Sequence, residues 1–320
     1  MTATPEIDGK EWTTGRLLAW TCDFFTRKGV EEARLAAEVL LAHAAECRRI
    51  DLYTRFDTEL DEQRRARFRE LVKRAADGEP IAYLVGEKEF FSLSFSVTPA
   101  VLIPRPETET VVEAALEHCA AAGLENPCVW DLGTGSGCIA VAILTQLKRA
   151  TAVATDISAD ALALARENAL RHGVADRFTV IAADSLAIPQ SAVPAGGFDV
   201  LVSNPPYVPD GATGSLPVTV SAYEPRAALA GGDDGLTFYR RIAEGAAGLL
   251  APAGVVIVEV GDGRAATAVA AMNASGPVRH VRTYKDRVVG KDRVLLFALA
   301  GTGAAPGAPA ESKEVPNGAV

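Results

Sequence analysis

The chain has 320 residues, 48% of them apolar, so it can bury a sizeable core and fill roughly two domains of ordinary size. Its 41 acidic residues outnumber 32 basic ones, and the net charge of −9 argues against a protein that coats nucleic acid, which needs a basic face. No apolar run approaches the ~18–20 residues of a membrane span, the polar stretch Met1–Lys10 lacks a signal peptide's apolar core, and the five cysteines (Cys22, Cys47, Cys119, Cys128, Cys138) contain no Cys-x-x-Cys pair, so we expect reduced thiols, a cytoplasmic location and no membrane association.

From about Glu11 to Asp77 the chain reads as helices. Leu35, Val39, Leu40, Leu41 and His43 recur with helical spacing, as do Phe68, Leu71 and Val72. The breaker Asp77-Gly78-Glu79-Pro80 closes this segment, giving an expected helical domain over 1–80. Residues 81–106 form an expected linker. Phe90, Phe91, Leu93, Phe95 and Val97 partly alternate, which suggests a short β-hairpin, and the prolines of Leu102-Ile-Pro-Arg-Pro106 hold an extended stretch before a helix from about Glu107.

The third expected domain covers 107–300. Apolar strands near 128–132, 151–156, 178–182, 198–203 and 254–260 alternate with helical segments near 138–149, 159–172, 235–250 and 263–274. That alternation is the pattern of an α/β, doubly wound, mostly parallel sheet covered on both faces. A last pair, near 279–284 and 293–299, reads as an antiparallel hairpin at one edge. Residues 301–320 lack any apolar pattern and are expected to be a disordered tail. No internal repeat is visible.

Two constellations carry chemistry. The first strand ends in Asp131 and runs into Gly133-Thr134-Gly135-Ser136-Gly137 before a helix, and glycines let a ligand approach the backbone closely. In open parallel sheets ligands sit beyond the carboxyl ends of the strands. The spacing is G-x-G-x-G, not the dinucleotide G-x-G-x-x-G, although a dehydrogenase would also carry a glycine loop here. Asp156 ends the second strand, where a carboxylate can accept from two ribose hydroxyls, and Asp184 ends the third, where it could accept from an adenine amino group. A plain helix cap is the alternative for each.

The second constellation is Asn204-Pro205-Pro206-Tyr207, behind the apolar run Phe198–Val202. Asn204 and Pro205 each precede a proline, which holds both extended, so the Asn204 side-chain oxygen and the Pro205 carbonyl would be fixed as acceptors for the two N–H bonds of a planar NH2 group. Tyr207 offers that group a flat face. A strand-ending turn is the alternative for Asn-Pro in isolation. Together the two constellations point to transfer of a methyl group to a weakly nucleophilic nitrogen. His43, His118, His172 and His280 are scattered, without metal-ligand spacing, and no metal site is expected.

At these residues the chain resembles class I S-adenosylmethionine-dependent methyltransferases, whose seven-stranded Rossmann-like sheet the resemblance implies, with a small N-terminal helical domain joined by a β-hairpin. Further stretches resemble the PrmC/HemK family of peptide chain release factor glutamine methyltransferases: Gly78-Glu-Pro-Ile-Ala-Tyr83, Glu89-Phe-Phe91, Val101–Glu109, Tyr223-Glu-Pro225, Gly231–Leu236, Phe238-Tyr-Arg240, Lys285-Asp286 and Gly290–Arg293. The resemblance covers about residues 15–299. It implies S-adenosylmethionine as donor, held by Gly133 through Gly137, Asp156 and Asn204, and a glutamine held by Asn204 to Tyr207. The substrate it implies is the glutamine of the Gly-Gly-Gln motif in class 1 release factors, methylated on N5, with no stable nucleic-acid binding.

The position after Asp184, often bulky in that family, is Ser185 here, and the family's Glu-Ile-Gly appears as Glu259-Val-Gly261 with Arg264 nearby; neither Glu259 nor Arg264 is given a catalytic role. The helical domain would grip the release factor. Its basic run (Arg64, Arg65, Arg67, Arg69, Lys73, Arg74) is either part of that contact or a solvated helix face. A ribosomal-protein glutamine methyltransferase, an adenine-N6 methyltransferase and a non-catalytic adaptor are the competing readings. The acidic balance weighs against the second, and intact Asp156 and Asn204 against the third.

Overall fold

The computed structural model describes residues 12–287 and 289–301; the expected tail, 301–320, lies outside them except for Gly301. The chain starts with helices α1 (Thr14–Lys28), α2 (Ala33–Ala45), α3 (Arg49–Thr54), α4 (Glu62–Ala76) and α5 (Ile81–Val85), then strands β1 (Glu87–Phe90) and β2 (Leu93–Ser96). Next come α6 (Glu109–Ala121), β3 (Cys128–Leu132), α7 (Cys138–Gln146), β4 (Thr151–Asp156), α8 (Ala159–Arg171), β5 (Phe178–Ala182) and β6 (Phe198–Ser203). The last elements are α9 (Val218–Ser221), α10 (Thr237–Ala246), β7 (Leu250–Glu259), α11 (Ala265–Ser275), β8 (Val278–Lys285) and β9 (Asp292–Leu299). They form two compact units, one ending at Glu87 and including Pro217–Tyr223, the other made of Lys88–Leu216 and the chain from Glu224 onward.

In the helical unit, Leu17, Leu18 and Phe25 of α1 pack with Leu40 and Leu41 of α2, Leu52 of α3, and Phe68, Leu71 and Val72 of α4. Gly29, in the left-handed region at φ 73°, ends α1, and the Asp61 carboxylate caps α4 by accepting from Arg64 N at 2.9 Å. Within the expected linker, Ile81–Val85 is helical, and Leu84 is buried in this core. Pro80 starts that turn, where its missing N–H is harmless, and Gly86 stops it. Glu38 lies on the buried side of α2 and accepts from Arg34 (3.0 Å), Arg49 (2.9 Å) and the Tyr53 hydroxyl (2.5 Å). Burial alone would raise its pKa; the bonds from Tyr53, Arg49 and Arg34 outweigh it and hold the carboxylate below its usual range. The basic run of α4 is largely paired: Arg64 with Asp61 and Glu46, Arg65 with Glu62, Arg67 with Glu46, and Arg74 with Glu79.

The second unit is a seven-stranded sheet of order β5-β4-β3-β6-β7-β9-β8, parallel except for β9, which runs antiparallel to both its neighbours. Alternation assigns each strand's side chains to two layers. Val129, Ala152, Val200, Val255 and Ile257 pack under α6, α7 and α8; Trp130, Val153, Leu201, Val256 and Val258 pack under α10 and α11. Strands β3 to β6 have the bounds read from the sequence. Strand β7 begins at Leu250, earlier than 254, because Ala251–Gly254 form a bulge between the pairs Phe198↔Leu250 and Val200↔Val255. Pro252 in that bulge hides the strand's start from a reading of its pattern. Strand β8 forms the edge and is itself irregular, with register shifts after His280 and after Tyr284.

Two connections hold the sheet's ligand-facing end. The hairpin β1–β2 turns through Phe91 and Ser92, both at positive φ (51° and 59°), and the Phe91 amide donates to the Glu109 carboxylate at 2.8 Å. A 3-10 turn, Pro106–Thr108, precedes α6, which starts at Glu109 rather than Glu107. Asn168 of α8, fully buried, accepts from Ser96 N (2.8 Å) and donates to the carbonyls of Ser96 (3.1 Å) and Ser136 (2.8 Å). It fastens the hairpin to the loop after β3. Asn168→Ala would leave buried backbone groups unpaired, and we expect a loss of about 3 kcal/mol of stability by denaturant unfolding. A loss below about 1 kcal/mol would mean that water takes over those bonds.

Candidate active site

Strand β3 pairs in parallel with β4 on one side and β6 on the other, so the chain's return to β6 opens a crevice at their carboxyl ends. Into it run the loop after β3 and the segment after β6. Gly133, Gly135 and Gly137 sit at φ 71°, 54° and 81°, a region that strains any side chain. No atom lies within 4 Å of where a Cβ would stand on Gly133 or Gly135, so this face of the loop is open. The loop is anchored from beneath: Gly133 N and Thr134 N both donate to the Thr155 carbonyl at 2.9 Å.

Asp131 is completely buried. Its Oδ2 accepts from the Thr134 hydroxyl (2.7 Å) and Ala140 N (3.2 Å), while Oδ1 has no hydrogen-bond partner among the described residues. Burial pushes its pKa up to about 6, although the bonds from Thr134 and Ala140 oppose the rise. Asp156 Oδ2 accepts from Gly135 N and Oδ1 from Ser158 N, both at 2.9 Å. Ser158, not Asp156, is the cap of α8, accepting from Ala161 N. Each Asp156 oxygen keeps further acceptor capacity. Asp184 is exposed beyond the end of β5, and Ser185 after it is at φ 53°, its buried hydroxyl oxygen without a hydrogen-bond partner among the described residues. Thr134 commits its hydroxyl to Asp131, and Ser136 gives its carbonyl to Asn168, so both support the loop. An open glycine face, an unpaired buried carboxylate oxygen and a second carboxylate one strand over fit a ligand bringing N–H and O–H donors, as the ammonium and ribose hydroxyls of S-adenosylmethionine do.

After β6, Asn204 is half-buried and Pro205 buried. Asn204 Nδ2 donates to the Thr108 hydroxyl oxygen at 3.2 Å. Among the described residues nothing donates to Asn204 Oδ1 or to the Pro205 carbonyl. The stretch Gly231–Gly235 presses its backbone against Pro206 and Tyr207. Gly235 is at φ 73°, and a Cβ there would stand 2.3 Å from the Tyr207 carbonyl oxygen. Arg264 donates to the Asp234 carbonyl and pins that stretch. The Tyr207 ring lies against Gly261, and burial first, then the nearby Glu259, pushes its hydroxyl up to about 12, so it is neutral.

Glu259, at the end of β7, is 1% exposed, and its Oε2 accepts from the Thr108 hydroxyl at 2.5 Å. Burial raises its pKa to about 7, against the lowering effect of Thr108 and Arg293. Thr108, Glu259, Asn168 and Arg264 are the residues that sequence reasoning left without a role. For Glu259 a signal existed: an acid ending a strand buried on both faces must itself be buried. Among the described residues no group of three or more His, Cys, Asp or Glu could hold a metal ion, and no helix is long and apolar enough to cross a membrane.

The family model for the PrmC N-terminal domain matches residues 16–86, and that for the methyltransferase small domain matches 113–220. The release factor glutamine methyltransferase of Rhodopirellula baltica is 41% identical over 291 residues, covering 90% of this chain and 97% of that protein. The protein of the same name from Geobacter sulfurreducens is 44% identical, covering 86% and 92%, and that from Moorella thermoacetica 45%, covering 84% and 92%. Among solved structures, the hMettl16 catalytic domain in complex with MAT2A 3'UTR hairpin 1 superposes with a TM-score of 0.52 at 16% identity, over 70% of this chain and 80% of that one. At that identity it shows the fold alone, the α/β sheet of class I methyltransferases.

Asp131 and Glu259 both have pKa values raised above those of an unfolded chain. Their contribution to stability is therefore complete at low pH and is lost as pH rises through about 6 and about 7. Glu259→Gln should remove the upper part of this loss. We expect its unfolding free energy to fall less than the wild type's between about pH 5 and about pH 8, by on the order of 3 kcal/mol. Parallel curves for the two proteins would show that Glu259 does not titrate in this window.

Proposed function

The chain belongs to the release factor glutamine methyltransferase family, and we propose that it methylates N5 of the glutamine in the Gly-Gly-Gln motif of class 1 peptide chain release factors, in the cytoplasm. S-adenosylmethionine, the family's donor, supplies an electrophilic methyl carbon on a sulfonium. Asp131, the loop Gly133-Thr134-Gly135-Ser136-Gly137, Asp156, Asp184 and Asn204 would hold it: the glycines through their open face, Asp131 through its unpaired oxygen, and Asp156 through its remaining acceptor sites.

The observation that carries the reading is the pair of unengaged acceptors at Asn204 Oδ1 and the Pro205 carbonyl, on backbone stiffened by Pro205 and Pro206. A carboxamide nitrogen shares its lone pair with its carbonyl and attacks poorly. Two acceptors aimed at its N–H bonds return electron density to nitrogen and fix its direction of attack. Tyr207, neutral and packed against Gly261, would flank the planar group. An amide nitrogen becomes strongly acidic on alkylation, so its proton leaves without a dedicated base. We assign recognition of the release factor to the helical unit, which exposes Trp20, Ile50, Tyr53 and Phe56.

The deciding experiment incubates the protein with labelled S-adenosylmethionine and, separately, a release factor, a ribosomal protein extract and DNA. Label should enter the release factor and vanish when its Gly-Gly-Gln glutamine is replaced; label only in ribosomal protein or DNA would overturn the assignment. Asn204→Ala should cost about 3–4 kcal/mol of transition-state stabilisation, by analogy with losing one oxyanion donor. Near-normal turnover would reject the acceptor chemistry. Asp156→Ala should chiefly weaken donor binding, and unchanged affinity by calorimetry would remove Asp156 from the donor site.

A further inference from the structure

We propose that Thr108 and Glu259 are positioning residues that fix which end of the Asn204 carboxamide faces the methyl acceptor. The proposal rests on the reading that Asn204 receives a substrate amide, and it goes beyond that reading by saying what sets the Asn204 rotamer. An asparagine side chain is nearly symmetric in shape, but its two ends have opposite hydrogen-bonding character. Only with the oxygen toward the substrate can it accept from an incoming NH2. Turned by 180°, it would set donor against donor.

The neighbours decide between the two. Thr108 Oγ1 has one hydrogen to give. Glu259 Oε2, at 2.5 Å, can only accept when ionised, so that hydrogen points to Glu259. Thr108 Oγ1 is then left as an acceptor toward Asn204, and the Asn204 atom 3.2 Å away must be its nitrogen. Oδ1 is thereby left for the substrate. Thr108 is 3% exposed and Glu259 1%, so water does not compete for these bonds. The chain joins three segments distant in sequence: the turn before α6, the end of β6 and the end of β7.

Protonating Glu259 would undo the logic. A neutral carboxyl can donate to Thr108, which frees the threonine hydrogen to turn to Asn204 Oδ1 and allows the reversed amide. The groups facing Glu259 are Arg105 and Glu107 from the segment before α6, Arg293 from β9, Tyr207, Tyr239 of α10 and Cys138 of α7. Burial drives both tyrosines and Cys138 far toward their neutral forms. Arg105 pairs with Glu224, and Arg293 donates to the Val260 carbonyl at 3.1 Å, so neither arginine hydrogen-bonds the Glu259 carboxylate. Among the described residues, Thr108 is the one side chain that hydrogen-bonds the Glu259 carboxylate.

The test uses the full chain with a release factor as acceptor, comparing wild type, Thr108→Ser, Thr108→Val and Glu259→Gln from about pH 6 to about pH 9. We expect kcat of Thr108→Val to fall on the order of ten- to a hundredfold. Its affinity for S-adenosylmethionine by calorimetry and its KM for the release factor should stay within about threefold, and Thr108→Ser should restore turnover. The wild type should lose kcat on the acid side of neutrality, and Glu259→Gln should lack that limb. A separate readout needs no substrate. By NMR, a side-chain N–H of Asn204, assigned by its disappearance in Asn204→Asp, should exchange with solvent on the order of tenfold more slowly in wild type and Thr108→Ser than in Thr108→Val. Thr108→Val turning over within about twofold of wild type, Thr108→Ser as impaired as Thr108→Val, an unchanged acid limb in Glu259→Gln, or equal Asn204 exchange would each overturn the relay. If the wild type itself transfers no methyl to the release factor, the proposed function falls, and the Asn204 exchange comparison alone decides the relay.

Discussion

Parallel pairing of β3 with β6 is the constraint from which the rest of the site follows. The register Val129↔Val200, Trp130↔Leu201 and Asp131↔Val202 makes the two strands end together. The Ser203 hydroxyl, donating to the Leu132 carbonyl at 2.7 Å, ties the last residues of both. With the strands locked in this way, the glycine loop and the Asn204 segment leave the sheet side by side at one edge of the crevice. A one-residue slip would invert every side chain of β6, moving Val200 and Val202 out of the layer under α6 and α7. The hydrophobic layers thus fix how the two segments leave the sheet, and Tyr207 itself packs against the layer under α10 and α11.

The second theme is buried acid. Asp131 and Glu259 sit where a carboxylate is costly, and among the described residues neither forms a salt bridge with a basic side chain. Compare Glu38 in the helical unit, less deeply buried and held by two arginines and a tyrosine, whose pKa falls instead of rising. Glu38 is a structural acid with its partners supplied. Among the described residues Asp131 and Glu259 have no such basic partners, and both stand near the carboxyl ends of their strands. Buried acids with raised pKa values mark a candidate functional site.

The sheet was legible because its strands are short apolar runs with sharp ends: Cys128–Leu132, Thr151–Asp156, Phe178–Ala182 and Phe198–Ser203 leave little latitude. The glycine loop and Asn204–Tyr207 were legible because unusual backbone needs unusual residues. What could not be read was pairing across long separations. Thr108 and Glu259 are 151 residues apart, and Asn168 and Ser96 are 72 apart; Glu259 aside, none of these side chains is distinctive in its own neighbourhood. Local signals also misled where a breaker sat inside an element. Pro252 concealed the first part of β7, and Pro80 with Gly86 framed a single helical turn that looked like linker.

Strand β8 has a further consequence. It ends the sheet on one side, and its pairing with β9 skips twice, so its outward amides do not form an even row. Arg279, Arg282 and Lys285 add positive charge along the same rim, with Arg282 lying over the Tyr284 ring at 4.4 Å. A regular, apolar margin would invite another molecule's strand to add on, which is how sheets grow into aggregates. A kinked margin carrying these cations disfavours such docking at this edge of the sheet.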